Sequence, residues 1–212
     1  MMIWDSALQV YIDHPEKYGK DTVVYFDEDA VIIHDSFPKA RFHLLVLPRS
    51  NTLTKKHPTI GLNSRVKNQL ENYIQRAIDY IYEGFTQHYQ PSDKVQSIFA
   101  DKDTFIKNFL AVGIHSVPSM KNLHIHVITK DFNSPRLKHK KHYNSFNTNF
   151  FVNWIDLPLK SIPNVKETEL KYIKGSPLIC SYCGQDYGSQ FKKLKDHLTE
   201  EFNKHFTEII EL

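Results

Sequence analysis

His124 and His126 lie in the run Asn122-Leu-His-Ile-His-Val-Ile128, where polar and apolar residues alternate. On a strand, residues i and i+2 point the same way, about 6–7 Å apart. Asn122, His124 and His126 then share one face, while Leu123, Ile125 and Val127 turn toward a core. Three readings fit this pattern. One is a plain surface pair on a half-exposed strand. A second is a metal site with His115 as third ligand. In the third, a neutral imidazole attacks an electrophile and its neighbour binds the anion that develops. Twelve histidines in 212 residues make imidazole chemistry the first place to look.

A second cluster lies near the end of the chain. Cys180-Ser-Tyr-Cys183 is followed, after thirteen intervening residues, by His197. Tyr187 and Leu194 fall where a small finger keeps an aromatic and an aliphatic core residue. His205 lies eight positions beyond His197, about 12 Å along a helix. That is too far for a shared ion, whose ligands must lie within about 2.0–2.3 Å of it. Glu201 is one turn from His197 on the same helical face, and carboxylate oxygen is an accepted zinc ligand. The spacing points to structural Zn2+ on Cys180, Cys183, His197 and Glu201. The bland alternative is a redox pair or two idle thiols, and no βαβ context supports the former.

These groups need elements to carry them. The sequence predicts a short amphipathic helix over Trp4–Lys17, strands over Thr22–Phe26, Ala30–His34 and Phe42–Leu47, and a loop over Asn51–Leu62. Spacings of three and four from Val66 to Phe85 predict a long helix over Ser64–His88, with Ser64 as its N-cap. Phe105–Val117 and Leu123–Thr129 read as two more strands. Strands alternating with one long helix give an α+β domain on a mainly antiparallel sheet. After an irregular Asp156–Val165 come a short helix over Val165–Lys174, the cysteines and a final helix from Gln190. The expected division is a catalytic unit over 1–160 and a finger over 161–212.

Composition narrows the class. The chain is 41% hydrophobic with 14 Phe and 11 Tyr, enough for a packed core. No apolar run reaches the roughly 18–20 residues of a membrane helix, and no secretory signal pattern opens the chain. Two cysteines exclude a disulfide framework and suggest a reducing compartment. The net charge of +3 says little about nucleic acid, but Lys130, Arg136, Lys138, Lys140 and Lys141 fall within twelve residues.

The sequence also resembles a known family. Asn122–Ile128 looks like the histidine-triad signature of nucleotidyl hydrolases and transferases, with Asn in place of the first His. Asp35-Ser-Phe-Pro-Lys39-Ala-Arg-Phe-His43-Leu-Leu-Val-Leu-Pro48 resembles that superfamily's second motif. Val117-Pro-Ser-Met120 and Lys140-Lys-His142-Tyr-Asn-Ser-Phe-Asn-Thr148 look like segments particular to aprataxins, and the finger completes the same arrangement. The resemblance spans nearly the whole chain. It implies a fungal-type aprataxin without the N-terminal phosphopeptide-binding domain of animal relatives.

By this resemblance His124 is the nucleophile, His126 contacts the phosphate and His115, protonated, is the general acid for the leaving group. Ser119 binds phosphate, Asp35 meets the ribose hydroxyls, and Phe37, Lys39, His43 and Asn122 complete the nucleotide pocket. The implied substrate is a nicked or broken DNA with a 5′-adenylated end left by abortive ligation. AMP leaves through an adenylyl-histidine, with no metal in the chemistry. Lys130, Lys140, Lys141 and His142 would hold DNA phosphates, and Tyr11 or Tyr18 a base at the nick. The implied protein is a nuclear monomer that engages no membrane. Two rivals stay open: a histidine-triad hydrolase of small nucleotides, such as a phosphoramidase or dinucleoside polyphosphate hydrolase, and a non-catalytic zinc-finger DNA-binding protein.

Overall fold

The computed structural model describes residues 6–210. Trp4, at the expected start of the first helix, lies outside them. Helix α1 covers only Gln9–Asp13 and is followed by a tight turn over Pro15–Lys17. Strands β1 (Val23–Phe26), β2 (Ala30–His34) and β3 (His43–Pro48) form an antiparallel meander. The stretch read as a loop over Asn51–Leu62 holds a short helix, α2 (Pro58–Gly61).

Helix α3 (Ser64–His88) has the expected span, but its cap is Asn63, whose side-chain oxygen accepts the Val66 amide at 3.1 Å. Ser64 lies inside the helix, one residue past the extended backbone a cap needs. Leu70, Ile74, Ala77, Ile78, Ile81 and Phe85 are buried along one stripe. Each large member contributes about 1.5–3 kcal/mol by leaving water.

Strand β4 (Tyr89–Pro91) follows. The single strand expected over Phe105–Val117 is instead helix α4 (Lys102–Phe109) running into β5 (Leu110–His115). Asp101 caps α4 by accepting the Thr104 amide at 2.8 Å, and Phe105 and Phe109, four apart, bury one helical face. Strand β6 (Ile125–Thr129), helix α5 (Lys140–Asn147) and strand β7 (Phe151–Asn153) complete the sheet. Its order is β1-β2-β3-β6-β5-β7, with each neighbouring pair antiparallel. Gly113 allows β7 to close on β5, since a Cβ there would lie 2.2 Å from the Val152 carbonyl oxygen.

The sheet separates two environments. Ile32, Leu44, Val46, Leu123, Ile125 and Val127 pack with the α3 stripe in the main core. On the other face, Leu8 and Ile12 of α1 cover Val31, Ile33, Leu45 and Leu47. That second face also carries His43, His124 and His126.

Helix α6 (Val165–Thr168) continues as a π-helical turn to Lys174, and α7 spans Phe191–His205. Residues past 160 join the rest along two seams. Leu178, Cys180, Leu194 and Leu198 pack with Ile128, Tyr143 and Phe146. Phe202 and Phe206 enter the main core, where Phe206 meets Phe85 at 5.2 Å between ring centroids. Strand β8 (Phe206–Glu208) pairs with β4 in a separate ribbon. No described helix is long and apolar enough to cross a membrane.

Candidate active site and metal centre

Three adjacent strands bring His43, His115 and His126 together, and His124 directly precedes β6. In the register of β3, β6 and β5, His126 faces Leu45 on one side and Gly113 on the other. Its ring centroid lies 5.0 Å from that of His124, 4.6 Å from His115 and 5.1 Å from His43. Phe146, from α5, packs on His115, His126 and His43 at 4.6, 5.2 and 5.4 Å. Phe146, marked in the sequence only as a member of the Lys140–Thr148 segment, forms the apolar wall of the cluster.

Hydrogen bonds set the nitrogens. Nδ1 of His124 lies 2.7 Å from the backbone oxygen of Asn122, an acceptor only, so Nδ1 carries the proton. Nε2 then keeps its lone pair, as a nucleophile requires. The Lys39 amide donates to Nδ1 of His43 at 3.2 Å, so the His43 proton sits on Nε2 and donates to Nδ1 of His126 at 2.9 Å. This leaves Nε2–H of His126 as a buried donor without a protein partner. His115 Nε2 is likewise buried and unpartnered. Unmatched buried polar atoms call for a ligand, and these suit phosphate oxygens.

Burial is the first cause of every imidazole shift here. It lowers His124, against an opposing push from the Asn122 carbonyl, and brings His43 down to about 4. His126 and His115 fall well below the usual histidine value, with the neighbouring basic groups adding to the effect. The free pocket is therefore a set of neutral imidazoles. A neutral ring with a free nitrogen is the form that nucleophilic attack requires.

The rim holds the other predicted residues. Asp35 accepts the Phe37 amide at 2.8 Å, and its second oxygen lies 3.3 Å from His43 Nδ1. Phe37 is 53% exposed, with the Arg136 guanidinium 5.6 Å from its ring centre. The Lys39 ammonium donates to the Phe37 carbonyl, and burial lowers its pKa. Ser119 is exposed. Asn122 is buried, and both its amide hydrogens are used: one on Gln9 Oε1 at 2.8 Å, one on Thr54 Oγ1 at 3.1 Å. Sequence reasoning missed Gln9 and Thr54, because no periodicity links them to the histidine strand.

Of the basic residues, Lys141 pairs with Glu169 at 2.8 Å and Lys140 donates to the Lys174 carbonyl at 3.1 Å. Lys130 reaches the Asn108 carbonyl at 3.4 Å. His142 accepts the Lys138 amide at 3.2 Å, and burial, then Lys39, bring it down to about 4. Lys140 and Lys141 thus reach toward Glu169–Lys174, and none of the four is hydrogen-bonded to a histidine of the pocket in these contacts.

In the finger, ligand atoms of Cys180, Cys183 and His197 all lie within 4.8 Å of one another. Cys183 Sγ is 3.3 Å from His197 Nε2. Tetrahedral zinc with ordinary bond lengths sets such a pair about 3.5 Å apart, so the donors fit the ion. Gly184 follows in the left-handed region at φ 73°, where the knuckle turns. Tyr143 reaches across the seam to hold that knuckle. Its hydroxyl donates to the Ile179 carbonyl at 2.8 Å and accepts the Ser181 amide at 2.9 Å. Glu201 stands one turn past His197, with Lys204 at 2.7 Å and His205 Nε2 at 3.3 Å from its oxygens. A second group, Asp35, His43 and His126, also brings donor atoms within 4.8 Å. There the two imidazoles are already joined to each other, and His115 is not a member.

Comparison with known proteins agrees with this geometry. Residues 9–142 match the family described as scavenger mRNA decapping enzyme C-term binding, and residues 147–204 match the C2HE / C2H2 / C2HC zinc-binding finger. An aprataxin-like protein of Saccharomyces cerevisiae is 50% identical over 214 residues, covering 97% of this chain and 99% of its own. One from Schizosaccharomyces pombe is 36% identical, covering 92% of this chain and 80% of its own. The crystal structure of the aprataxin ortholog Hnt3 in complex with DNA superposes with a TM-score of 0.68 at 32% identity, covering 95% of this chain and 96% of that one. Triad pocket, finger and likeness along nearly the full length together make the chain a member of the aprataxin family, histidine-triad nucleotide hydrolases of DNA repair that carry a zinc finger.

Proposed function

We propose that the protein is a DNA 5′-adenylate hydrolase, an adenosine-5′-diphospho-5′-DNA diphosphatase. The observation that carries this reading is the 2.7 Å contact of His124 Nδ1 with the Asn122 carbonyl, which leaves the lone pair on Nε2, with the unpartnered Nε2 of His126 on the neighbouring ring. The lone pair of Nε2 attacks the AMP phosphorus. The bond from that phosphorus to the bridging oxygen breaks, and its electrons leave with the DNA 5′-phosphate. His115, charged by the bound anion, gives that oxygen a proton. The N–P bond of the adenylyl-histidine is then broken by water, releasing AMP and regenerating the imidazole. His126 donates to the equatorial oxygens in both steps, and Ser119 closes on them from the exposed loop. General acid help of this kind is worth about 10²–10⁴ in rate. The steps use side chains alone.

The exposed Phe37 ring suits a purine face, and Asp35 a ribose. DNA as partner is supported by an aprataxin ortholog whose structure is in complex with DNA, and we assign DNA contact to the finger. Lys130, Lys140, Lys141 and His142 suit backbone phosphates, and Glu201 is the fourth zinc ligand. On that substrate we infer a nuclear protein that acts as a monomer. A second reading, hydrolysis of small capped nucleotides, draws on the match of residues 9–142 to a decapping-enzyme family.

Incubation of the protein with a nicked, AMP-blocked oligonucleotide tests the choice. The expected result is free AMP, a ligatable 5′-phosphate and an acid-labile adenylyl group on His124, all lost in His124→Ala while DNA binding persists. Faster turnover on small adenylates than on adenylated DNA selects the second reading.

A further inference from the structure

The nucleophile's acceptor is unusual in how it is held. The Asn122 carbonyl that pins Nδ1–H of His124 belongs to a residue whose side chain is gripped by a segment 113 positions away. Asp13 fixes the direction of the grip. Its carboxylate can only accept, so the Gln9 side-chain NH2, 2.8 Å away, must turn toward it. Gln9 Oε1 then faces Asn122 and accepts one of its amide hydrogens. Thr54 takes the other, and its carbonyl accepts the Leu123 amide at 2.7 Å. The result is a directed chain: Asp13, Gln9, Asn122, His124. Leu8 and Ile12, buried against β2 and β3, anchor the helix that carries its first two members.

We propose that Gln9 is a positioning residue for His124, acting through Asn122. The proposal rests on the proposed reaction at His124. An Asn at the first triad position makes it possible. The carboxamide offers two hydrogens to two acceptors, where a neutral imidazole has only one to give. With the side chain tied at both hydrogens, the Asn122 peptide cannot rotate, and its carbonyl stays on the His124 ring. In-line attack on phosphorus depends steeply on such placement.

The test uses the full chain and three variants: Gln9→Leu, Asn122→Ala and the two together. Gln9→Leu lowers kcat for AMP release about tenfold, with KM unchanged, on adenylated DNA and on a small adenylate alike. The imidazole 15N shifts of His124, recorded on the same samples, move from the Nδ1–H tautomer toward a mixture. In the double variant the losses do not add, because both substitutions cut the same chain. A role in folding alone lowers the melting temperature but leaves the tautomer and the kcat of the folded fraction unchanged. Wild-type kcat and unmoved His124 shifts in Gln9→Leu overturn the proposal, as do fully additive losses. If the wild-type protein turns over neither substrate, the proposed function falls, and the 15N shifts alone then decide the positioning role.

Discussion

In the pocket, His43, His115 and His126 are set by strand register, and His124, one residue before β6, by its hydrogen bond to the Asn122 carbonyl. In the finger, three ligand atoms are brought together by a knuckle of backbone, a helix and one tyrosine from outside. The pocket sits on a six-stranded sheet with a core on each face. In the finger, Cys180 sits in a small apolar cluster, much of it lent by Tyr143, Phe146 and Phe132, while Cys183 is exposed. A sheet specifies side-chain direction at every second residue, so a catalytic face comes with the fold. A short knuckle has no such source of order and relies on an ion and on a neighbour.

Zinc removal is the harshest way to break this comparison. Cys183→Ala, or a strong chelator, removes on the order of 10 kcal/mol of metal-linked folding free energy from the finger. Hydrogen exchange then shows the knuckle and the start of α7 opening, while Phe202, Phe206 and the pocket stay protected. DNA affinity drops, and turnover of a small adenylate persists. If turnover is lost as well, the two regions are one unit. Glu201→Ala weakens zinc binding in the same assay, and unchanged affinity removes it from the ligand set.

Gly113→Ala attacks the other side. The added methyl meets the Val152 carbonyl, a backbone atom, and the Phe151 ring at 2.8 Å. Overpacking of this kind costs about 1–3 kcal/mol. Chemical denaturation reads the loss, with zinc content unchanged. A variant of wild-type stability shows that β7 can retreat at no cost.

Acid gives the smallest effect and sharpens the contrast. His43, lowered to about 4, is neutral in the fold where the unfolded chain titrates near 6.5. The unfolded state therefore takes up more protons as pH falls from about 6.5 to 4, and stability present above that window is lost within it. His115, His124 and His126 act in the same direction. Buried Asp131, raised to about 6, opposes them, because its contribution fades as pH rises. Four imidazoles outweigh one carboxyl, so the melting temperature at about pH 5 lies below that at about pH 7.5. An equal or higher value at the lower pH contradicts the neutral pocket.

The legible parts were those with strong local pattern. The alternation from Asn122 to Ile128 placed three residues on one face and three in the core, and the structure keeps that division. The spacing from Val66 to Phe85 fixed α3. The α4–β5 junction was misread because Phe105–Val117 is apolar at both periods, and the Asp101 cap is the signal that separates them. Gln9 and Thr54 were not legible as site residues, and Tyr143 and Phe146 only as members of the Lys140–Thr148 segment. Each acts across a long sequence separation, and nothing in its own neighbourhood marks the contact.

The ribbon of Tyr89–Pro91 with Phe206–Glu208 has a consequence for synthesis. A growing chain displays the first of these strands long before the ribosome has made the second. Until then it is an open sheet edge beside an aromatic core that still lacks Phe202 and Phe206, a template for pairing with other chains. A premature stop near residue 200 would therefore leave a protein prone to clump in the cell, and not merely one short of a finger.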